Sequence, residues 1–535
     1  MATTTKHEIG NWDTFHNNGP FATKVLYKTS LEGKGNMPSL IDRYNDAAAE
    51  IQRLLKEALD KQEGFRAYGS AWSMNHIAHQ KDNMHFNAEM NLKKAILDDE
   101  MHPASTFKQA NLFFVQCGNV IKEIHKFVFD HGKSLQATGA SNGQTIAGCL
   151  STGVHGSALG VGAVQDCVVG LNLIIGPGAD DIVYLERHTA PALSDVFVQR
   201  IKARVIRNDG LFYAALVGIG AFGFIHGVVI ETEDRYLLKR YVKKINKELA
   251  LELAKTLDFA NSPFTIPGET DAQGKGNTPF HYKVFINPYV DDPDYVVEAI
   301  YKKPYVPVYP DPLPRMKTAI YRDLIVLFTK IAEKHKNSIP KLIKLLGTSV
   351  LPPVDLEATG TLAEIFWDAP YQGPAYAIAV GVDHTNAPKA LELLTKLARE
   401  KGPIPGIYAM RFVKQSKATL AFTQFPVTCM IEIDGLIWKG KKNKMISLEE
   451  FCTRTIEVLQ ANNIPFTIHW GKNADWAFPG LVEHMYGNKA TDWKKHRSAL
   501  LNEKTAKLFA NKFLEDTGLN EYVADAPKEL AETVV

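Results

Sequence analysis

The sequence predicts an α+β or α/β chain with more than one core, on three observations. Helix-like and strand-like segments alternate from the first hundred residues onward. A run of small residues from Gly139 to Gly162, GASNGQTIAGCLSTGVHGSALGVG, breaks that alternation. So many glycines outside a linker imply backbone lying close against something. After Glu231 the texture changes to a second series of strands and helices. The length of 535 residues agrees, being well above the roughly 100 to 200 residues of one domain.

In chain order, Pro38 and Ser39 precede LIDRYNDAAAEIQRLLKEALDKQEG, whose apolar residues recur at helical spacing as far as Gly64. That predicts a helix over about 39 to 62. FRAYGSAWSMN, Phe65 to Asn75, reads as a short strand running into a Gly and Ser turn. LFFVQC, Leu112 to Cys117, reads as a buried strand, and NVIKEIHKFVFDHG as an amphipathic helix closed by Gly132. Beyond Glu231, FHYKVFIN, YAIAVGVD, GIYAMRFV and VTCMIEID read as strands of a second sheet. The helices NAPKALELLTKLAREKG and SLEEFCTRTIEVLQANN lie among them. A Pro-rich stretch, KKPYVPVYPDPLPRMK, leads into a Lys-bearing amphipathic helix, IYRDLIVLFTKIAEKHKNSIPKLIKLLG, expected to cover the second unit. The tail beyond His469 turns polar and helical.

Composition removes several function classes. With 45% hydrophobic and 22% charged residues the chain is an ordinary globular protein, which excludes disorder, collagen and coiled coil. Its formal charge of +2 gives no electrostatic reason to expect nucleic acid. Cys117, Cys149, Cys167, Cys429 and Cys452 lack CxxC spacing, so free thiols in a reducing compartment are expected. MATTTKHEIGNWDTF has no apolar core of a secretory signal, so a cytoplasmic location is expected. Leu211 to Ile230 is long enough to span a bilayer, but four glycines and His226 interrupt it, so no transmembrane segment is expected.

The motifs narrow the chemistry. GIGAFG, Gly218 to Gly223, matches GxGxxG but continues into strand-like FIHGVVIET, so a nicotinamide pyrophosphate would find no helix terminus. His76, His79 and His85 cluster without a thiolate or paired carboxylate, so a solvated loop is expected and no metal. No Walker A sequence is present. Four pieces remain in order: the Gly69, Ser70, Ala71, Trp72 turn, suited to holding a pyrophosphate on free N–H groups; the small-residue wall Gly143 to Gly160 with His155; the Gly218 to Gly227 surface; and IHWGK, ending in Lys472.

In that order the pieces resemble the vanillyl-alcohol oxidase and p-cresol methylhydroxylase superfamily of FAD enzymes, and most of all its alditol oxidase and aldonolactone oxidase branch. The resemblance is strongest at RAYGSAWSMN, STGVHGSA and HWGK. It implies a two-part FAD-binding domain from residues 20–238, with the 473–535 segment returning to it, and an inserted mixed α/β substrate domain over 239–472. It implies FAD contacts from Arg66, Gly69, Ser70, Ala71, Trp72 and Ser73. Further contacts would come from Gly148, Ser151, Thr152, Gly153, His155, Gly156 and Ser157, then from Gly220, Gly223, Ile225 and Lys472. Many members carry a flavin-linking histidine where this chain has Trp72, so FAD is expected to be non-covalent.

The resemblance also places an arginine of a Glu-x-Arg strand and the HWGK lysine near the isoalloxazine. Arg411 and Lys472 fit those roles, yet Ala409 stands where the acid is expected. Glu432 and Asp434, which share a strand face in IEID, are the replacement candidates. Alcohol oxidation moves a hydride from carbon to the flavin while the hydroxyl loses a proton. A cation ~4 Å from the resulting negative charge contributes about 4 kcal/mol at an effective dielectric near 20. The catalytic candidates are therefore Arg411, Lys472, Glu432 as base and His155 as a weaker base. Asp434 and Trp367 are expected on the substrate side. Phe328, Phe366, Trp367, Tyr371 and Tyr376 suggest a bulky or apolar small-molecule alcohol, with oxygen or another acceptor taking the electrons. A flavin-dependent cyclase or dehydrogenase of a natural product, and a flavin-free binding protein on the same scaffold, are the alternatives.

Overall fold

The computed structural model describes residues 2–31, 39–310, 312, 331, 334–350, 353–366, 374–438 and 446–534. Within them the chain builds three large sheets, and the site lies where they meet. The first sheet orders its strands Thr3–Glu8, Val25–Ser30, Asn83–Phe86 and Phe65–Tyr68, the last three parallel. The second orders Arg204–Arg207, Ile182–Glu186, Val168–Ile174, Phe224–Glu231, Leu112–Gln116 and Lys93–Ala95. Every residue of Leu112–Gln116, Val168–Ile174 and Ile182–Glu186 is buried, and the first of these is the buried strand expected from LFFVQC.

The helix Leu40–Asp60 begins where expected, with Ser39 and Asp42 forming a reciprocal cap. It ends four residues before Gly64, because Gln62 takes the left-handed conformation at φ 55°. Its Tyr44 is fully buried and its hydroxyl donates to Asn172 Oδ1 of the second sheet at 2.7 Å. Gly227 permits that approach, since a Cβ there would lie 2.4 Å from the Tyr44 oxygen. The helix Ile121–Asp130 also forms as read.

The Leu211–Ile230 stretch splits into the helix Asp209–Leu216, a turn with Gly220 and Gly223 at φ 68° and 111°, and the strand Phe224–Glu231. No helix of the described residues is long and apolar enough to cross a membrane. A strand does follow GIGAFG, so the dinucleotide fingerprint fails on context as argued from the sequence.

The histidine cluster differs from expectation. His85 sits in the strand Asn83–Phe86, fully buried between Thr29 Oγ1 at 2.8 Å and Asn87 Oδ1 at 2.9 Å. Burial lowers its imidazole to about 4, opposed by the Asn87 hydrogen bond. His76 lies 3.0 Å from Asp516 and His79 lies 2.9 Å from the Ala22 carbonyl oxygen. The three are packing residues rather than a solvated loop, since each ring is spent on a neighbouring element.

The third sheet has eight antiparallel strands: Glu357–Gly360, Tyr236–Asn246, Asp294–Pro304, His281–Ile286, Gly406–Lys414, Val427–Leu436, Ala375–Asp383 and Phe466–Ile468. Tyr408 points to the face covered by the helix Ala387–Lys401, donating to the Leu394 carbonyl at 3.1 Å. The opposite face carries Lys283, Phe285, Ile407, Ala409, Arg411, Glu432 and Asp434 by register. Ala375, Ala377, Ala379 and Gly381 alternate on the next strand and keep that face shallow. Part of the Lys-bearing amphipathic segment forms the helix Ile339–Val350, while Phe328, Trp367 and Tyr371 lie outside the described residues.

Two asparagines bind chain regions far apart in sequence. Asn75 donates to the carbonyls of Trp470 and Lys472 at 2.8 and 2.7 Å. Asn473 donates to the Met74 carbonyl at 2.7 Å and accepts from the Ala377 amide at 3.1 Å. The tail helices then pack beneath the same loop, with Asn511 donating to the Ile77 and His79 carbonyls. Asn473→Ala removes two of these bonds and is expected to cost about 2 kcal/mol in chemical denaturation. Lys56→Ala, at an exposed helix pair with Asp60, should change stability by only a few tenths of that.

Candidate active site

A cavity of about 560 Å³ opens between the Phe65–Asn75 loop, the small-residue wall, the Gly218–Ile225 turn and the charged face of the eight-stranded sheet. Most residues singled out from the sequence reach it. Arg66, Gly69, Ser70, Ala71, Trp72 and Ser73 line one end; Gly148, Ser151, Thr152 and His155 line the wall; Gly220, Gly223 and Ile225 line the turn. Arg411, Asp434 and Lys472 line the other end.

Four of the described residues do not line it, and a fifth expected residue is not described. Gly153 ends the helix Ile146–Thr152 in the left-handed region at φ 72°. A Cβ on Gly156 would lie 2.6 Å from the Thr138 carbonyl oxygen, so that glycine serves packing. The Ser157 hydroxyl donates to the Tyr282 carbonyl at 3.0 Å and accepts from the Phe412 amide at 3.3 Å, joining the wall to the sheet. Glu432 turns to Arg411, and Trp367 is outside the described residues.

The loop is shaped by tight contacts. A Cβ on Gly69 would come within 1.9 Å of Thr145 Oγ1, and Ala71 holds a left-handed φ of 56°. The Trp72 indole stacks on Phe15 at 4.4 Å between centroids and stands edge-on to His16. Arg66 is buried and gives its guanidinium to four carbonyls, those of Gly220, Phe509, Ile77 and Ile219, at 2.7 to 3.0 Å. Burial lowers Arg66 to about 9, with Arg497 adding repulsion. Arg66 and Arg497 form no ion pair with any carboxylate among the described residues. A buried cation satisfied only by carbonyls is a standing cost that a bound anion relieves. The loop therefore fits a pyrophosphate.

At the sheet face, Ala409 lies directly opposite Glu432 across the strand pair. From that neighbouring strand Glu432 ion-pairs with Arg411, both buried. Burial alone would raise the Glu432 carboxyl, but Arg411, then Lys472 and His155, hold it well below the usual carboxylate range. Asp434 is raised, by burial and by the charge of Glu432. Lys283 stands opposite Arg411, lines the cavity, and is lowered by burial and by Arg411. Sequence reasoning missed it, although a lysine between apolar neighbours in FHYKVFIN was the signal. Neither Lys283 nor Lys472 forms an ion pair among the described residues, so this end of the cavity carries surplus positive charge.

Arg411→Met leaves the Glu432 carboxylate buried and alone, and is expected to cost about 3 to 5 kcal/mol. Arg411→Met with Glu432→Leu should recover most of that loss in urea unfolding. The folded Glu432 titrates below its unfolded value near ~4.3, so the pair's contribution is complete at neutral pH and is lost as pH falls below about 4. Glu432→Gln should accordingly flatten the acid limb of the stability profile.

No protein-family model matches the chain. It is 26% identical to the D-arabinono-1,4-lactone oxidase of Candida glabrata over 205 residues, 38% of this chain and 34% of that protein. It is 23% identical to the mitochondrial L-galactono-1,4-lactone dehydrogenase of Brassica oleracea over 228 residues, 41% of this chain and 33% of that protein. The chain thus spans about a third of the length of these relatives. Cholesterol oxidase from Brevibacterium sterolicum shares the fold with a TM-score of 0.64 at 12% identity, over 96% of this chain and 97% of that one. A VAO-type flavoprotein from Myceliophthora thermophila does so with a TM-score of 0.57 at 12% identity, over 90% and 78%. The chain has the fold of cholesterol oxidase and of a VAO-type flavoprotein, and over part of its length it is similar in sequence to D-arabinono-1,4-lactone oxidase and L-galactono-1,4-lactone dehydrogenase, in line with the resemblance read from its motifs.

Proposed function

We propose that the chain is an FAD-dependent oxidoreductase that oxidises a CH–OH group, with oxygen or another acceptor restoring the cofactor. The observation that carries this is the pairing of a glycine-walled cavity with cations at both ends that lack carboxylate partners, buried Arg66 at one and half-buried Lys283 and Lys472 at the other. Residues 20–238 with 473–535 would hold the cofactor and residues 239–472 the substrate. Arg66 and the Gly69–Ser73 backbone would take the pyrophosphate, and the Gly148–Thr152 wall and the Gly220–Ile225 turn would flank the rest. Trp72 offers no linking nitrogen, so the cofactor is non-covalent.

When bound, FAD supplies the hydride acceptor. Lys472, Arg411 and Lys283 stabilise negative charge developing beside them. Glu432 positions Arg411 and does not act as the base, because its carboxylate is committed to that pair. The proton released as C–OH becomes C=O would pass to His155, which lines the cavity and whose protonated form burial and Arg411 disfavour and Glu432 only partly restores. Asp434 lies on the substrate side.

Phe285, Ile343, Tyr376, Pro405, Ile407 and Leu436 line the substrate end, which favours a bulky, largely apolar alcohol. A sugar lactone is the second reading, favoured by the names of the sequence relatives. The purified protein is expected to be yellow and to release its colour into the supernatant on acid precipitation. A peroxide-coupled and dye-coupled screen should give sterols or aromatic alcohols at least about tenfold higher kcat/KM than aldonolactones or polyols; the reverse ranking would support the lactone. A colourless protein that takes up no added FAD would refute the enzyme reading. Lys472→Met should lower kcat/KM by about two to three decades with the preferred substrate.

A further inference from the structure

His155 and His469 both line the cavity, are both buried, and have ring centroids 5.3 Å apart at 61°. Phe422 packs against each, at 5.4 and 5.3 Å, so neither ring swings freely. Their backbone partners fix opposite tautomers. His155 Nδ1 lies 3.0 Å from the Gly156 carbonyl oxygen, which can only accept, so Nδ1 carries the hydrogen and Nε2 is a bare lone pair. The Gly471 amide donates to His469 Nδ1 at 3.0 Å, so there Nδ1 is the lone pair and Nε2 carries the hydrogen. Neither Nε2 has a hydrogen-bond partner among the described residues. Burial, then Arg411, lowers His155 to about 3, and burial, then His155, holds His469 well below the usual histidine range. The resting cavity thus presents one neutral acceptor and one neutral donor side by side.

We propose that His469 and His155 form a fixed donor–acceptor pair that recognises the reacting hydroxyl, His469 Nε2–H donating to its oxygen and His155 Nε2 accepting its O–H. This rests on the oxidoreductase reading and adds His469 as a substrate-binding residue. A hydroxyl satisfies both nitrogens. A carbonyl or ether oxygen satisfies only His469 and turns a lone pair toward the lone pair of His155. The site therefore prefers the alcohol and disfavours retention of the carbonyl product.

Phenol and anisole separate these cases, because phenol has an O–H, anisole has none, and phenol cannot yield a hydride from its carbinol carbon. Binding to the holoprotein is read from the visible spectrum of the flavin. Phenol is expected to bind about tenfold more tightly than anisole. In His155→Asn, whose amide can still reach the Gly156 carbonyl, the preference should fall to near unity. In His469→Asn, whose amide oxygen can still accept from Gly471, both ligands should weaken and the preference should persist. Equal affinities in the unaltered protein, no response to phenol, or a preference that survives His155→Asn would overturn the proposal. Nitrogen-15 spectra of histidine-labelled protein over about pH 5 to 8 supply the check that needs no ligand. They should show His155 protonated at Nδ1 and His469 at Nε2, and reversed tautomers would overturn it. Failure of the oxidoreductase reading itself shows separately, as a protein that takes up no FAD.

Discussion

The side-chain amide of Asn75 reaches across 395 residues of sequence to the Trp470 carbonyl and also takes that of Lys472, and the site depends on that junction. The Met74 amide donates to Gly471 at 2.8 Å and Asn473 returns a bond to Met74, so loop and segment are stitched on both edges. Without it the Gly69–Ser73 turn would belong to one sheet and Lys472 to another, with no common cavity. The same stretch sets His469 through the Gly471 amide and ties Ala377 of the shallow sheet face through Asn473. One short segment therefore positions Lys472, His469 and the Ala377 strand at one end of the cavity.

Charge explains how so little net charge produces so strong a local field. The chain as a whole is nearly neutral. Inside the cavity, Arg66 meets only carbonyls, and Lys283 and Lys472 have no ion-pair partners among the described residues. The one carboxylate that answers Arg411 comes from the adjacent strand, opposite Ala409, where a side chain as short as a methyl leaves room for it. That arrangement commits the Glu432 carboxylate to the guanidinium, which is why we propose it as a support for Arg411 and not as the base. A low-dielectric wall then makes the remaining cations effective on whatever anion enters.

Much of this was legible before any coordinates. Period-2 segments such as VTCMIEID and GIYAMRFV became strands, and their alternation places Glu432 and Asp434 on one face. The glycine and serine turn after Phe65 and the HWGK lysine reached the same cavity because both are constrained by backbone proximity, which leaves small residues in the sequence. What escaped were properties of pairing rather than of spacing. Nothing in IEID says that Glu432 will spend its charge on Arg411 of another strand, and nothing in FHYKVFIN says that Lys283 will stand opposite it. Arg497, in a tail helix of weakly amphipathic sequence, is buried beside the turn by contacts no local pattern records. Gly153 and Gly156 also have reasons in the fold, helix termination at one and close approach to Thr138 at the other, and a sequence pattern does not separate these from cofactor contact.

Arg66 buries positive charge at the loop end of the cavity, and we propose that a phosphate anion answers it. Calorimetric titration of the FAD-free protein with FAD and, separately, with riboflavin tests it most directly, because riboflavin has the same ring system and no phosphate. The account predicts FAD binding at least about a hundredfold tighter than riboflavin, with the difference shrinking as salt is raised. Equal affinities for the two, or no binding of FAD, would contradict it.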